Sequence, residues 1–306
     1  MQDNRLHIRL MGSDFELIAT DMVPQRLQEG VEEIKRIEAL LTEFNDTSVT
    51  AQLNANAGII PVKVPSEVYQ LIQRCLQLSA ITQGAFDISA GALKHLFNFK
   101  QDHFQWPEAN ALKQALLKTG YRHISLLDDN QVFLEQKGMR IGFGAIGKGY
   151  AADKVKALWL ASGASSGVIN ASGDLTAWGK PWNVGIANPD DPDKMLLWLP
   201  VQNASVATSG NYEQYVERNG IRYSHNIDPR TGKPVPYIKS VTVISPSAEL
   251  SDALATAVTV MGPAVGLDFI NQLPDVHCII IDGKNKVFQS ENIQIHAKAG
   301  SVAVQI

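Results

Sequence analysis

Apolar and polar residues alternate with helical spacing in several stretches of the chain. Residues 24–44, 65–84 and 107–120 carry apolar side chains three or four positions apart, with polar or charged residues between them. This spacing predicts three amphipathic helices. Pro65 and Ser66 are typical of the start of the second helix, and Gly84 is typical of its end.

Three more helices are predicted in the second half of the chain. A glycine-rich turn leads into an apolar helix over residues 141–163, and two further helices follow over residues 251–262 and 263–273. Other stretches show the β-branched and alternating pattern of strands. These are residues 7–20 as a strand pair, 121–127 and 131–136 as a hairpin, 166–174, a strand-rich middle over 182–210, 239–246, 276–283 and the tail 293–306.

No low-complexity segment, linker or internal repeat divides these elements. The order of helices and strands therefore predicts one α+β domain over residues 1–306, with a bilobed arrangement left open. A chain of 306 residues can bury a substantial core.

Composition excludes several classes of partner. The formal net charge is −4 and no basic run is present, so we expect no nucleic-acid binding. No apolar run is long enough for a membrane span. Cys75 and Cys278 are far apart in sequence and are expected to be small buried residues.

The first residues lack the basic and then apolar pattern of a secretion signal. The sequence as it stands is thus expected in the cytoplasm. If a leader has been removed, the protein is expected to be exported.

The predicted helix SDALATAVTVMG carries two oxygen-bearing side chains, Asp252 and Thr256, on one face of an apolar run. In the structural interpretation, Asp252 offsets the helix dipole and Thr256 bonds back to a helix carbonyl. In the functional interpretation, carboxylate and hydroxyl oxygens bind Mg²⁺, which keeps water and phosphate oxygens as its other ligands.

Two other segments carry candidate chemistry. The glycine-rich turn GFGAIGKGYA, residues 142–151, resembles a loop that cradles phosphate at a helix N-terminus, although it has neither Walker A nor dinucleotide-fold spacing. A tight turn between a strand and a helix is the structural alternative. His225 precedes the turn DPRTG, where it is either structural or a general base.

Taken in series, these segments resemble the FAD:protein FMN transferases, the ApbE family. The resemblance rests on six motifs in the family order: GAFDISAGAL, GFGAIGKGYAADK, INASGDL, ATSGNYEQY, YSHNIDPRTGKPV and SDALATAVTVMG. It extends from Met11 through Gly262. It implies an α+β fold with FAD, as substrate, bound in a cleft.

The resemblance also implies an Mg²⁺-dependent activity. Such an enzyme cleaves FAD, releases AMP and attaches FMN by a phosphoester bond to a Thr or Ser of an acceptor flavoprotein. The side chains of Asp252 and Thr256 and the carbonyl of Ala145 would bind the metal, and His225 would be the base. The positions implied to contact FAD are Met11, Phe44, Ala85, Phe86, Asp87, Lys148 and the backbone near Lys239.

The chain departs from the family pattern at several motif positions. Gly142 stands where relatives usually have an Asp that contacts FAD, and Phe44 replaces a frequent Tyr. Two other functions fit the same residues: an FAD diphosphatase that releases FMN and AMP, and a flavin-binding protein without catalysis.

Overall fold

The largest sheet contains eight antiparallel strands in the order β1-β2-β6-β7-β10-β14-β15-β16. Three smaller sheets have the orders β11-β12-β13, β17-β8-β9 and β3-β5-β4. The computed structural model describes residues 3–99, 105–210, 215–218, 221–236, 238–291, 293 and 303–305. The combination of helices with these sheets confirms the α+β fold class.

The strands of the described chain have these bounds: β1 Asp3–Leu10, β2 Ser13–Thr20, β3 Val62–Lys63, β4 Ile124–Leu127, β5 Gln131–Leu134, β6 Gly167–Ala171, β7 Asp174–Trp178, β8 Trp182–Asn188, β9 Asp191–Val201, β10 Ala204–Gly210, β11 Tyr215–Arg218, β12 Ile221–Asp228, β13 Lys233–Pro236, β14 Ile238–Ser245, β15 His277–Asp282, β16 Val287–Gln289 and β17 Ala303–Gln305. The helices are α1 Pro24–Leu41, α2 Val49–Ala55, α3 Ser66–Ile81, α4 Gly91–Lys94, α5 Ala109–Leu116, α6 Gly147–Ala161, α7 Ala248–Met261 and α8 Pro263–Asn271.

The predicted strand pair at the start of the chain is confirmed as the hairpin β1–β2. Its two-residue turn has positive φ at Met11 (52°) and Gly12 (71°). This is the pattern of a type I′ turn, whose twist matches that of the flanking strands. The hairpin joins the rest of the sheet because β2 pairs with β6, far along the chain.

Two predicted boundaries near residue 120 are wrong. The third amphipathic helix ends at Leu116 rather than at residue 120, and β4 begins at Ile124 rather than at residue 121. Gly120 has φ of 137°, a conformation that favours glycine, so the helix cannot continue through it. A 3₁₀ turn over Tyr121–His123 separates this glycine from β4. Most of the predicted tail strands lie outside the described residues.

Helix α7 lies at the centre of the molecule. The Ser247 side chain accepts a hydrogen bond from the Leu250 N–H at 3.2 Å and so caps the N-terminus. Gly262, with φ of 80°, follows the last turn. Because α7 packs against β10, β14 and α6, residues on nearly all of its faces are buried. This burial explains why its sequence is apolar around the whole helix.

Helices α6 and α7 approach unusually closely. A Cβ atom at Gly149 would lie 2.2 Å from the carbonyl oxygen of Ala248, so only glycine fits there. The Asp153 carboxylate on α6 accepts hydrogen bonds from the N–H groups of Ala248 (3.0 Å) and Glu249 (2.9 Å). These contacts cap the N-terminus of α7 from the neighbouring helix and fix the two helices against each other.

Candidate active site

A cavity of about 670 Å³ opens beside the N-terminus of α6. Its wall is formed by the β1–β2 turn, the loop before α4, the glycine-rich turn, the start of β7, the ends of β10 and β12, and one face of α7. The sequence distances between these segments are large, so the cavity exists only after the sheet and helices have packed.

The three residues predicted to bind metal all line this cavity. Asp252 and Thr256 are one turn apart on α7, and Ala145 lies in the turn that leads into α6. The helix and the turn therefore lie on the same side of the molecule, around one cavity. Carboxylate, hydroxyl and carbonyl oxygens are a donor set that suits Mg²⁺.

Asp252 is buried, and its environment disfavours an isolated negative charge. Burial, together with the neighbouring Asp174 carboxylate, raises the pKa of its carboxyl to about 7 against the opposing effect of Lys148. The Asp252 Oδ2 atom accepts one hydrogen bond, from the Gly149 N–H, at 3.2 Å. A cation beside this carboxylate would compensate its charge.

The acidic neighbour of Asp252, Asp174, is already paired with Lys148. Within the described parts of the chain, no three His, Cys, Asp or Glu residues are grouped as a metal site. A cation at Asp252 would therefore depend on hydroxyl, carbonyl, water and ligand oxygens. Mg²⁺ commonly binds in this way, since it retains several water ligands and binds substrate phosphates. The residues present thus fit Mg²⁺.

Lys148, in the first turn of α6, forms an ion pair with Asp174 at the start of β7. Burial acts to lower the pKa of Lys148, but the adjacent carboxylate outweighs it and raises this pKa above the ordinary lysine value. Burial raises the pKa of Asp174, and Lys148 opposes that shift. The ion pair keeps a cation at the cavity wall, next to the N-terminus of α6, where anions are favoured.

His225 lines the same cavity from β12. The pairing of β12 with β13 shifts register between Tyr223 and Ile227, so His225 lies in an irregular part of the strand pair. Bulges redirect side chains and are common beside active sites. The structure thus brings the predicted base and the predicted metal ligands to one cavity.

The loop segment Ala85, Phe86 and Asp87 also contributes to the wall. Ala85 and Phe86 are almost fully buried, at 1% exposure each. The Asp87 carboxylate accepts hydrogen bonds from the Ser89 N–H (2.8 Å), the Ser89 hydroxyl (2.6 Å) and the Tyr121 N–H (2.7 Å). Its side chain therefore organises the loops around the cavity as well as bordering it.

Three residues that the resemblance implied for FAD are not part of the cavity wall as described. Met11 is in the β1–β2 turn, where its N–H donates to Glu38 at 2.8 Å, while the next residue, Gly12, does line the cavity. Phe44 is 89% exposed. The Lys239 ammonium pairs with Asp190 and donates to Asn285.

Four charged wall residues were not predicted from the sequence: Arg9, Asp14, Lys94 and Asp174. Asp174 is in a motif that resembles the family, INASGDL, but only its proximity to Lys148 indicates a part in the cavity. Lys94 is at the end of α4, a four-residue helix too short to show a periodic pattern.

The fold and the cavity define an α+β protein with a charged binding site at a helix N-terminus, in which a carboxylate, a hydroxyl and an imidazole converge. Comparison with known proteins agrees with this class. A sequence profile described as the ApbE family matches residues 11–280.

Two relatives illustrate the similarity in sequence. The FAD:protein FMN transferase of Treponema pallidum is 34% identical over 288 residues, covering 87% of this chain and 80% of that protein. An FAD:protein FMN transferase of Klebsiella pneumoniae is 32% identical over 297 residues, covering 95% and 93%.

Solved structures show the same fold. The ApbE protein from Thermotoga maritima superposes with a TM-score of 0.86 at 29% identity, covering 95% of this chain and 97% of that chain. The apo form of the Pseudomonas stutzeri flavinyl transferase ApbE superposes with a TM-score of 0.84 at 27% identity, covering 95% of each chain. The chain belongs to the ApbE family.

A separate structural finding concerns membranes. In the portion of the chain that the structure describes, no helix combines the length and apolar character required to cross a bilayer.

Proposed function

We propose that this protein is an Mg²⁺-dependent FMN transferase that takes FAD as substrate and attaches FMN to a Thr or Ser of an acceptor flavoprotein. The observation that carries the proposal is the convergence of His225, Lys148, Asp252 and Thr256 on one cavity. The printed names of the relatives, FAD:protein FMN transferase, support the substrate and the type of transfer.

Each residue has a distinct part in this reaction. The N-terminus of α6, which carries the Lys148–Asp174 pair, favours the FAD diphosphate in the cavity. Asp252, Thr256 and Ala145 would hold Mg²⁺. The ion, when bound, supplies charge neutralisation at the diphosphate oxygens. Diphosphate chemistry depends mainly on such positioning and charge compensation.

His225 would act on the acceptor. Its imidazole removes the proton from the Thr or Ser hydroxyl, because that hydroxyl is a weak nucleophile at neutral pH. The oxygen then forms a bond to the FMN-side phosphorus, and the bond from that phosphorus to the AMP oxygen breaks. AMP leaves with the electron pair of the broken bond, and the proton taken by His225 is released to the AMP phosphate or to water.

The test is incubation of the protein with FAD and Mg²⁺, with and without an acceptor domain that carries a flavinylation site. Release of AMP only with acceptor, together with a mass gain on the acceptor equal to the FMN adduct, supports transfer. Release of AMP and FMN without acceptor supports FAD hydrolysis instead. Binding of FAD without any AMP release supports a flavin-binding function.

A further inference from the structure

Lys94 is a second cation on the cavity wall, and its surroundings differ from those of Lys148. The ammonium of Lys148 is paired with Asp174. Lys94, by contrast, has no side-chain hydrogen bond and no ion pair within the parts of the chain that the structure describes. The two lysines border the same cavity, yet only the charge of Lys148 is compensated by direct contact.

The acidic residues that act on Lys94 do so through space. Glu43 and Asp252 both favour its charged form electrostatically, without contact. Glu43 is itself 3.8 Å from Arg140 and 3.8 Å from His95, so its charge is shared with other groups. Asp252 is buried near Lys148 and accepts from Gly149. Neither carboxylate therefore serves as a dedicated partner of Lys94.

Lys94 is exposed to solvent and borders the cavity. Partial desolvation by the cavity wall lowers the pKa of its ammonium. An ammonium that reaches water but has no acidic contact partner keeps its charge available to a ligand that enters the cavity. An anionic ligand in the cavity would provide the missing partner.

We propose that Lys94 is a binding residue for the diphosphate of the cavity ligand, supplying the positive charge that the Lys148–Asp174 pair lacks. The inference rests on the proposed function, since it assumes a ligand with a diphosphate. It also follows from the charges of the wall. Lys148 pairs with Asp174, Arg9 is 3.8 Å from Asp14, and Asp87 accepts three hydrogen bonds, whereas Lys94 and Asp252 remain for an anion and a cation. A diphosphate ligand with Mg²⁺ brings both of these charges.

The substitution Lys94→Met tests the proposal because it keeps the length of the side chain and removes its charge. Affinities are measured for FAD and ADP, which carry a diphosphate, and for riboflavin, which carries no phosphate. We expect Lys94→Met to raise the Kd for FAD and for ADP by about tenfold or more, the loss of one charge-assisted hydrogen bond. The Kd for riboflavin is expected to stay within about twofold, since that ligand has no anionic group to lose.

Two matched variants complete the experiment. Lys94→Arg retains the charge and is expected to bind FAD within about threefold of the wild type. Lys113→Met removes an exposed lysine on α5, outside the cavity wall, and is expected to change no affinity. The thermal midpoint of ligand-free Lys94→Met should be no lower than that of the wild type, because the ammonium makes no contact whose loss would destabilise the fold.

The outcomes separate this inference from the function on which it rests. A wild-type protein that fails to bind FAD contradicts the proposed function. A wild-type protein that binds FAD, with unchanged FAD and ADP affinity in Lys94→Met, contradicts the role of Lys94 alone. Equal weakening of FAD and riboflavin, with a lowered thermal midpoint, would show that Lys94 is structural and would also overturn the inference.

Discussion

The backbone N–H of Gly149 on α6 donates a 3.2 Å hydrogen bond to Oδ2 of Asp252 on α7. This contact joins the glycine-rich turn to the helix that carries the predicted metal ligands. It is possible because Gly149 has no side chain at the point where α6 meets the Ala248 carbonyl. The close packing of the two helices and the position of the Asp252 carboxylate therefore both depend on Gly149.

Gly149→Ala is expected to destabilise the protein by about 3 kcal/mol, because the added Cβ would lie 2.2 Å from the Ala248 oxygen and would force the helices apart. Denaturant unfolding measures the change. Gly144→Ala is the control, since nothing lies within 4 Å of a Cβ there, and its effect should stay within about 0.5 kcal/mol. Equal stability of the two variants would contradict the close packing.

Asp252→Ala is expected to abolish turnover and the stabilisation by Mg²⁺ while leaving the metal-free fold intact. At a Mg²⁺ concentration of 100 times its Kd, the wild type should gain about 2.7 kcal/mol in unfolding free energy, and the variant should gain none. Thermal or denaturant unfolding with and without Mg²⁺ measures this difference. Asp268→Ala, an exposed carboxylate on α8, should retain the gain. Wild-type turnover by Asp252→Ala at saturating Mg²⁺ would exclude the metal assignment.

His225→Ala is expected to slow acceptor modification by about 10²- to 10⁴-fold, the usual contribution of a general base. FAD affinity should change far less, because the imidazole acts on the acceptor hydroxyl. Mass spectrometry of the acceptor and titration with FAD measure the two effects. His7→Ala, at an exposed position on β1, is the control. Comparable loss of FAD affinity and of modification would instead indicate that His225 is structural.

Gly142 and Glu43 are expected to be energetically coupled. A Cβ at position 142 would lie 3.4 Å from Oε1 of Glu43, so an Asp side chain there would meet an existing carboxylate. We expect Gly142→Asp alone to weaken FAD binding, and Glu43→Ala with Gly142→Asp to restore it. A coupling of about 1 kcal/mol or more in a double-mutant cycle on FAD affinity is expected. Additive effects would mean that Glu43 does not interact with a side chain at position 142.

The local sequence pattern predicted correctly those helices whose formation depends on residues close together in the chain. The spacing of apolar residues predicted α1, α3, α6 and α7, because an amphipathic or buried helix is defined by the residues of its own turns. Helical geometry alone also put Asp252 and Thr256 on one face, and the structure has both on the cavity wall.

The weaker predictions concern short or strained segments. Helix α4 and the bend at Gly120 were missed because four residues show no periodicity, and a backbone angle leaves no pattern in neighbouring side chains. For His225 the local pattern left a structural role and a general base open, and the resemblance to the ApbE family favoured the base. It also implied Phe44, which is largely exposed in this structure.

The sequence by itself thus determined the longer helices and strands, the fold class and the residue types available for diphosphate chemistry. Tertiary structure alone decided that Asp174 pairs with Lys148, that Lys94 borders the cavity without a contact partner in the described chain, and that α6 touches α7 at a glycine. The physical reason is distance along the chain. Ion pairs and close packing bring together residues that are tens of positions apart in the sequence. The spacing of apolar residues within one segment does not show which distant residues will be in contact.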